Sequence, residues 1–147
     1  MTQTTLITQA QAGDLTTPRL ATASYAAYGR KGWHGWGTPT RITRGAPRGM
    51  PVPEPYAHWP SVGLLKPGSD YFGQGLPPDE FEALYVADLN RRGIVNIAAA
   101  LRGIPLDEDE QIVLLCFEGR AKLHLCHRRM FARWWQGWTG VEVPELS

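Results

Sequence analysis

Apolar positions in the second half of the chain repeat at helical spacing. Phe81, Leu84, Tyr85 and Leu89 fall on one face, as the i, i+3, i+4 and i+8 positions of an amphipathic helix do. Pro77-Pro78-Asp79-Glu80 opens this helix; proline fixes φ, and the two acids sit at the positive end of the dipole. Arg91, Arg92 and Gly93 end it. Ile94, Ile97, Ala98 and Leu101 predict a second helix that stops at Gly103-Ile104-Pro105. A solvated acidic turn follows at 107–110. The run over 111–117 is continuously apolar after Gln111, as in strands buried on both faces of a parallel sheet. A last helix is predicted from 125 or 126 to 138.

The first half is less regular. Residues 20–28 are small, partly alternating and free of Pro, and read as a first strand. Residues 29–39 hold four Gly, two Trp and one Pro and predict a loop. Residues 40–44 form a short β-prone run. Residues 45–78 contain eight Pro and six Gly; irregular stretches of that length are usually functional or wrapped on the surface. The Thr/Gln-rich residues 1–18 read as a loose arm. Helices alternating with a doubly buried strand predict an α/β fold. We expect a single compact layered domain over 19–147, with a small, mostly parallel sheet flanked by helices and a long Pro/Gly-rich loop in its first half.

Composition sets outer bounds. The 147 residues suit one domain, and 43% hydrophobic with 20% charged is ordinary for a folded chain. The longest apolar run, 112–117, is too short to span a bilayer. Residues 1–14 carry no base and no apolar stretch of the secretory type. We therefore expect a cytoplasmic protein with no membrane partner. Two cysteines are too few for a disulfide framework.

Charge changes the picture once it is divided by segment. The formal net charge is +1. Residues 15–53 carry Arg19, Arg30, Lys31, Arg41, Arg44 and Arg48 with no acid, a net of +6. Residues 54–118 have a net charge of −7, and residues 119–147 one of +3. Twelve of the fifteen bases are Arg, whose planar fork suits phosphate and carboxylate. An anionic partner is thereby favoured, although the near-neutral total argues against one.

The chemistry concentrates where the apolar strand meets the last helix. Cys116 and Glu118 lie at the strand end, and Cys126 at the helix start, where backbone N–H groups favour anions and a thiolate. Cys126 reads either as a nucleophile or as helix-start packing. Glu118 reads either as a general acid–base group or as a salt-bridge partner of Arg128 or Arg44. A helical wheel places His127, Met130, Phe131, Trp134, Trp135 and Trp138 on one core-facing arc. It leaves Cys126, Arg128, Arg129 and Arg133 on the other. His127 reads as a buried histidine, with His124 as an alternative base for Cys126. A Cys116–Cys126 disulfide is not expected without a secretory signal. A zinc site from Cys116, His124, Cys126 and His127 has suitable residue types but lacks the usual closely paired ligands. We read no metal site and expect no cofactor; no Gly-rich phosphate loop of the P-loop or dinucleotide type is present.

The run Ile112-Val113-Leu114-Leu115-Cys116-Phe117-Glu118, followed by Cys126-His127-Arg128-Arg129 and Trp134, resembles the C-terminal signature of the domain-of-unknown-function family numbered 488. Ala23-Ser24-Tyr25, Ile42-Thr43-Arg44-Gly45-Ala46-Pro47 and Leu65-Lys66-Pro67 are similar to its upstream steps. The resemblance covers about 20–146. It implies a compact α/β domain in which the matched residues converge on one pocket; it implies no reaction.

Together these readings give an expected site with Cys126 and Glu118 as catalytic groups. Ser24, Tyr25, Arg41, Arg44, Arg128 and Arg129 would bind the anion, with His124 or His127 as base or structural support. The expected function is an enzyme acting on a nucleotide or nucleic-acid substrate. The alternative is a non-catalytic module for single-stranded nucleic acid, with Trp33 and Trp36 as stacking platforms beside Arg30 and Lys31.

Overall fold

The computed structural model describes residues 15–118 and 126–147. Three strands, β1 (Arg19–Ser24), β2 (Thr38–Arg41) and β3 (Gln111–Cys116), form one sheet in the order β1-β3-β2. Both pairings are parallel, with Ser24 opposite Cys116 and Arg41 opposite Leu115. Among the described residues four α-helices accompany them: α1 (Tyr25–Lys31), α2 (Pro78–Arg92), α3 (Ile94–Arg102) and α4 (His127–Thr139). The expected α/β class with a small parallel sheet is what the chain forms.

The central strand is buried on both faces because its side chains alternate between two cores. Ile112 and Leu114 point into the larger one, which α2, α3 and α4 close with Leu89, Ile97, Leu101, Met130, Phe131 and Trp135. Val113 and Leu115 point the other way, against Tyr25 and Tyr28 of α1. Trp33, Trp36 and Trp59 pack around that second core.

The first strand is shorter than its sequence suggests. It stops at Ser24 because Ser24 Oγ accepts the Ala27 N–H at 3.0 Å, which starts α1 at Tyr25. Residues 25–28, expected as strand, are therefore helix. Gly32 closes α1 in a left-handed conformation. Gly37, at φ +124°, leads into β2, where a Cβ would strike the Gln111 carbonyl.

Neither outer strand is left bare. Val143–Leu146 runs along β1, with Thr22 N–H donating to Pro144 O at 2.8 Å and Leu146 N–H to Thr22 O at 2.7 Å. Arg41 N–H donates to Pro60 O at 2.7 Å, and Val62 N–H to Arg41 O at 3.1 Å. The chain thus caps both edges of a sheet too narrow to protect itself. β2 carries Pro39, which an edge strand tolerates. No helix among the described residues is long and apolar enough to cross a membrane.

Candidate functional site at the carboxyl edge of the sheet

Parallel pairing brings the ends of all three strands to one side. This is where open α/β sheets place ligands. Two different environments lie along that edge.

Around the β3 end and the α4 start the chain is closed. Cys116 and Cys126 are bonded through their sulfurs, and both are buried. The disulfide excluded at first is therefore present: β3 and α4 carry residues ten apart onto one spot, which compartment arguments do not address. His127 is also buried, with Nε2 2.8 Å from Ile42 O. A carbonyl only accepts, so Nε2 carries the proton and the Nδ1 lone pair is free. That lone pair lies 3.7 Å from Cys116 Sγ. Burial pushes the imidazole down to about 4; the bond to Ile42 opposes this, and the Arg128 charge adds to it. His127 is thus neutral near pH 7. Cys116 Sγ, Cys126 Sγ and a ring nitrogen of His127 lie within 4.8 Å of one another, and Nδ1 is the nitrogen that faces Cys116 Sγ.

Arg128 departs from its place on the wheel. It is 0% exposed. Its Nε and Nη2 hold both oxygens of Glu145 at 3.0 and 2.8 Å. Nη1 donates to Glu118 O at 2.7 Å and to Cys126 Sγ at 2.9 Å. The guanidinium is spent on the fold, tying the β3 end, the α4 start and the C-terminal segment together. Arg129 Nη1 donates to Thr22 Oγ1 and Val143 O, both at 2.8 Å, and so fastens that segment to β1. The Glu118 carboxylate makes neither expected salt bridge among the described residues; its Oε1 lies 3.5 Å from Cys116 Sγ. His124 falls outside the described residues.

The other environment, around the ends of β1 and β2, is open. Tyr25, Pro47, Arg48, Met50, Phe72 and Phe117 line a cleft of about 570 Å³. Phe72 and Phe117 are 45% and 48% exposed, unusual for such large apolar side chains. Tyr25 stands 5.0 Å from Phe117 and 5.5 Å from Trp59 between ring centroids. Thr43 Oγ1 donates to Gly45 O at 2.6 Å, so the Tyr25 hydroxyl must donate to Thr43 Oγ1, at 2.7 Å. Burial raises the Tyr25 phenol to about 12, against the lowering effects of Thr43 and Arg41.

The Arg41 charge that reaches Tyr25 also reaches Lys66, as does Arg44. Burial first, and then these two guanidinium groups, hold the Lys66 ammonium below the usual lysine range. Among the described residues no carboxylate pairs with Arg41, Arg44 or Lys66. Among the described residues Arg44 donates only to a carbonyl, Pro67 O, at 3.1 Å, and Arg41 Nε is buried without a partner. The sequence reading found Arg41, Arg44 and Tyr25 but missed Lys66, Phe72 and Phe117. Lys66 and Phe72 lie in the Pro/Gly-rich stretch before α2, and Phe117 ends the apolar run that predicted β3.

The two tryptophans expected as stacking platforms pack inward instead. Tyr28 stacks on Trp36 at 5.0 Å, Trp33 meets Trp59 edge-on at 5.2 Å, and Lys31 lies over Trp36 at 5.6 Å. They cover the second core because Tyr28 and Val113 present apolar surface there. Comparison with family models, with curated proteins and with solved structures finds no match for this chain.

Proposed function

We propose that the protein binds a phosphate-bearing ligand with a planar ring, a nucleotide or a single-stranded nucleic acid, in the open half of the carboxyl edge. What supports the reading is that the Arg41 and Arg44 charges both act on Lys66, that no carboxylate among the described residues pairs with any of the three, and that an exposed aromatic cleft begins directly after Arg44 in the chain, at Gly45 to Arg48. Like charges held together cost free energy that a bound anion removes. Rings of the Phe72 and Phe117 kind offer stacking surface to a base, and Arg forks hold phosphate. Of the residues that carry the resemblance to the family numbered 488, Tyr25, Gly45, Ala46, Pro47 and Phe117 line this cleft.

Fluorescence anisotropy with a labelled oligodeoxythymidylate, competed by nucleoside triphosphates, tests the proposal across a salt series. Binding should weaken steadily as salt rises, and Arg41→Ala or Lys66→Ala should weaken it further. Affinity indifferent to both salt and these substitutions would sink the proposal.

A catalytic version keeps the same ligand and adds Cys126 as nucleophile and Glu118 as acid–base group. The observation that favours it is Arg128 Nη1 at 2.9 Å from Cys126 Sγ, a contact that would stabilise a thiolate once the disulfide to Cys116 is reduced and opened. Product analysis of the bound ligand under reducing conditions, comparing wild type with Cys126→Ser and Glu118→Gln, decides it. Equal product from all three proteins removes both residues from the chemistry.

A further inference from the structure

Two cysteines and a histidine are gathered on the closed half of the edge, and the binding of a ligand in the open cleft uses none of them. We propose that the dithiol form of the protein binds one soft divalent metal ion of the Zn²⁺ class through Cys116 Sγ, Cys126 Sγ and His127 Nδ1.

Four observations converge on this. The three donor atoms lie within 4.8 Å of one another, on buried residues. His127 gives its Nε2 proton to Ile42 O, the kind of outer contact that orients a metal-binding imidazole and presents its other nitrogen as ligand. The Cα atoms of the cysteines are 7.1 Å apart, just beyond the roughly 4.4–6.8 Å usual for a disulfide. That spacing leaves room for an ion between two sulfurs, each about 2.3 Å from it. Arg128 Nη1 donates to Cys126 Sγ, and Glu118 Oε1 lies 3.5 Å from Cys116 Sγ as an oxygen donor for a fourth position. Two thiolates cancel the charge of a divalent ion and the imidazole is neutral; a Glu118 carboxylate in the fourth position adds one negative charge, beside the Arg128 guanidinium that donates to Glu118 O and Cys126 Sγ. Thiolate and imidazole together select zinc-like ions over magnesium or calcium.

The metal and the disulfide use the same sulfurs and exclude one another. Reduction by a water-soluble phosphine breaks the S–S bond and yields two thiols; the phosphine leaves as its oxide, with oxygen taken from water. Metal binding then displaces the two thiol protons. This inference does not depend on the cleft binding nucleotides, and its test needs no such ligand.

The experiment uses the full chain, reduced under anaerobic conditions and titrated with Co²⁺ as a spectroscopic probe. Thiolate-to-cobalt absorption should appear, saturate at one ion per chain and disappear when Zn²⁺ is added. Cys116→Ser and Cys126→Ser should each weaken binding by about 100-fold or more, since loss of even an outer contact costs about 10–100-fold. His127→Gln keeps an N–H for Ile42 O but removes the Nδ1 donor; it should shift the cobalt bands and weaken binding by at least about tenfold. Circular dichroism checks that each protein is folded. Should a variant fail to fold, alkylation of the reduced wild type decides, because bound Zn²⁺ should protect both cysteines. Folded, reduced wild type without a thiolate–cobalt band at excess Co²⁺ overturns the site. So do bands undiminished in both serine variants, or alkylation at the same rate with and without Zn²⁺.

Discussion

The two halves of the carboxyl edge treat their cations in opposite ways. On the β3–α4 side Arg128 is wholly buried, with donors committed to Glu145, Glu118 O and Cys126 Sγ. On the β2 side the Arg41 and Arg44 charges both act on Lys66, and no carboxylate among the described residues pairs with any of the three. A buried, fully partnered guanidinium holds a fold together and has nothing left to offer a ligand. Partly exposed cations without acids are left with unspent attraction, and that is what a binding site needs. The same residue type at the same edge therefore does two jobs, decided by whether an acid has been folded against it.

The largest effect should come from breaking the closed half. Glu145→Ala leaves Arg128 charged and buried without its partner, and should destabilise the protein by about 3–5 kcal/mol in urea unfolding. Arg128→Met combined with Glu145→Leu should recover much of that loss, because apolar groups need no partner there. A double variant as unstable as Glu145→Ala alone would show that the polar network matters beyond the pair.

His127 gives the next effect, in the metal-free disulfide form. Its folded value is about 4, below the ordinary 6.5. Between these values the unfolded chain binds more protons, so stability rises with pH across that interval. The full benefit is present above about pH 6.5 and is lost as pH falls toward 4, a change on the order of 3 kcal/mol. His127→Gln should flatten this slope in unfolding titrations from pH 4 to 7; an unchanged slope would assign it to other groups.

The open half should respond in binding rather than in stability. Arg41→Ala or Lys66→Ala should lower the salt slope for a single strand by about 0.7 each, and leave unfolding nearly unchanged. A large loss of stability would make these cations structural, like Arg128, and dissolve the contrast. The smallest effect is expected for Tyr25→Phe, which removes the hydroxyl given to Thr43 but keeps the ring. About 1 kcal/mol of stability should be lost, with little change in ligand affinity.

Much of the fold was legible because it is encoded locally. The helix opened by Pro77-Pro78 is observed as Pro78–Arg92, and the apolar run as strand Gln111–Cys116. The error over 25–28 had a local cause as well, since Ser24 is an N-cap whose signal was outweighed by small, partly alternating residues. The site was legible only in part. Arg41 and Arg44 were picked out by charge and Tyr25 through the family resemblance, whereas Phe72 and Lys66 sit in irregular chain where no periodicity marks a face. The wheel for α4 put Arg128 outside because a wheel contains no partner, and Glu145 lies 17 residues away on the C-terminal segment.

The sequence by itself determined the α/β class, the doubly buried central strand and the concentration of bases at the two ends of the chain. These follow from spacing, propensity and composition, which act over a few residues. Tertiary structure alone decided which bases are satisfied and which are not, that Trp33 and Trp36 turn inward, and that Cys116, Cys126 and His127 meet. Those outcomes depend on desolvation and on partners far away in the chain, and neither can be read until the chain is folded.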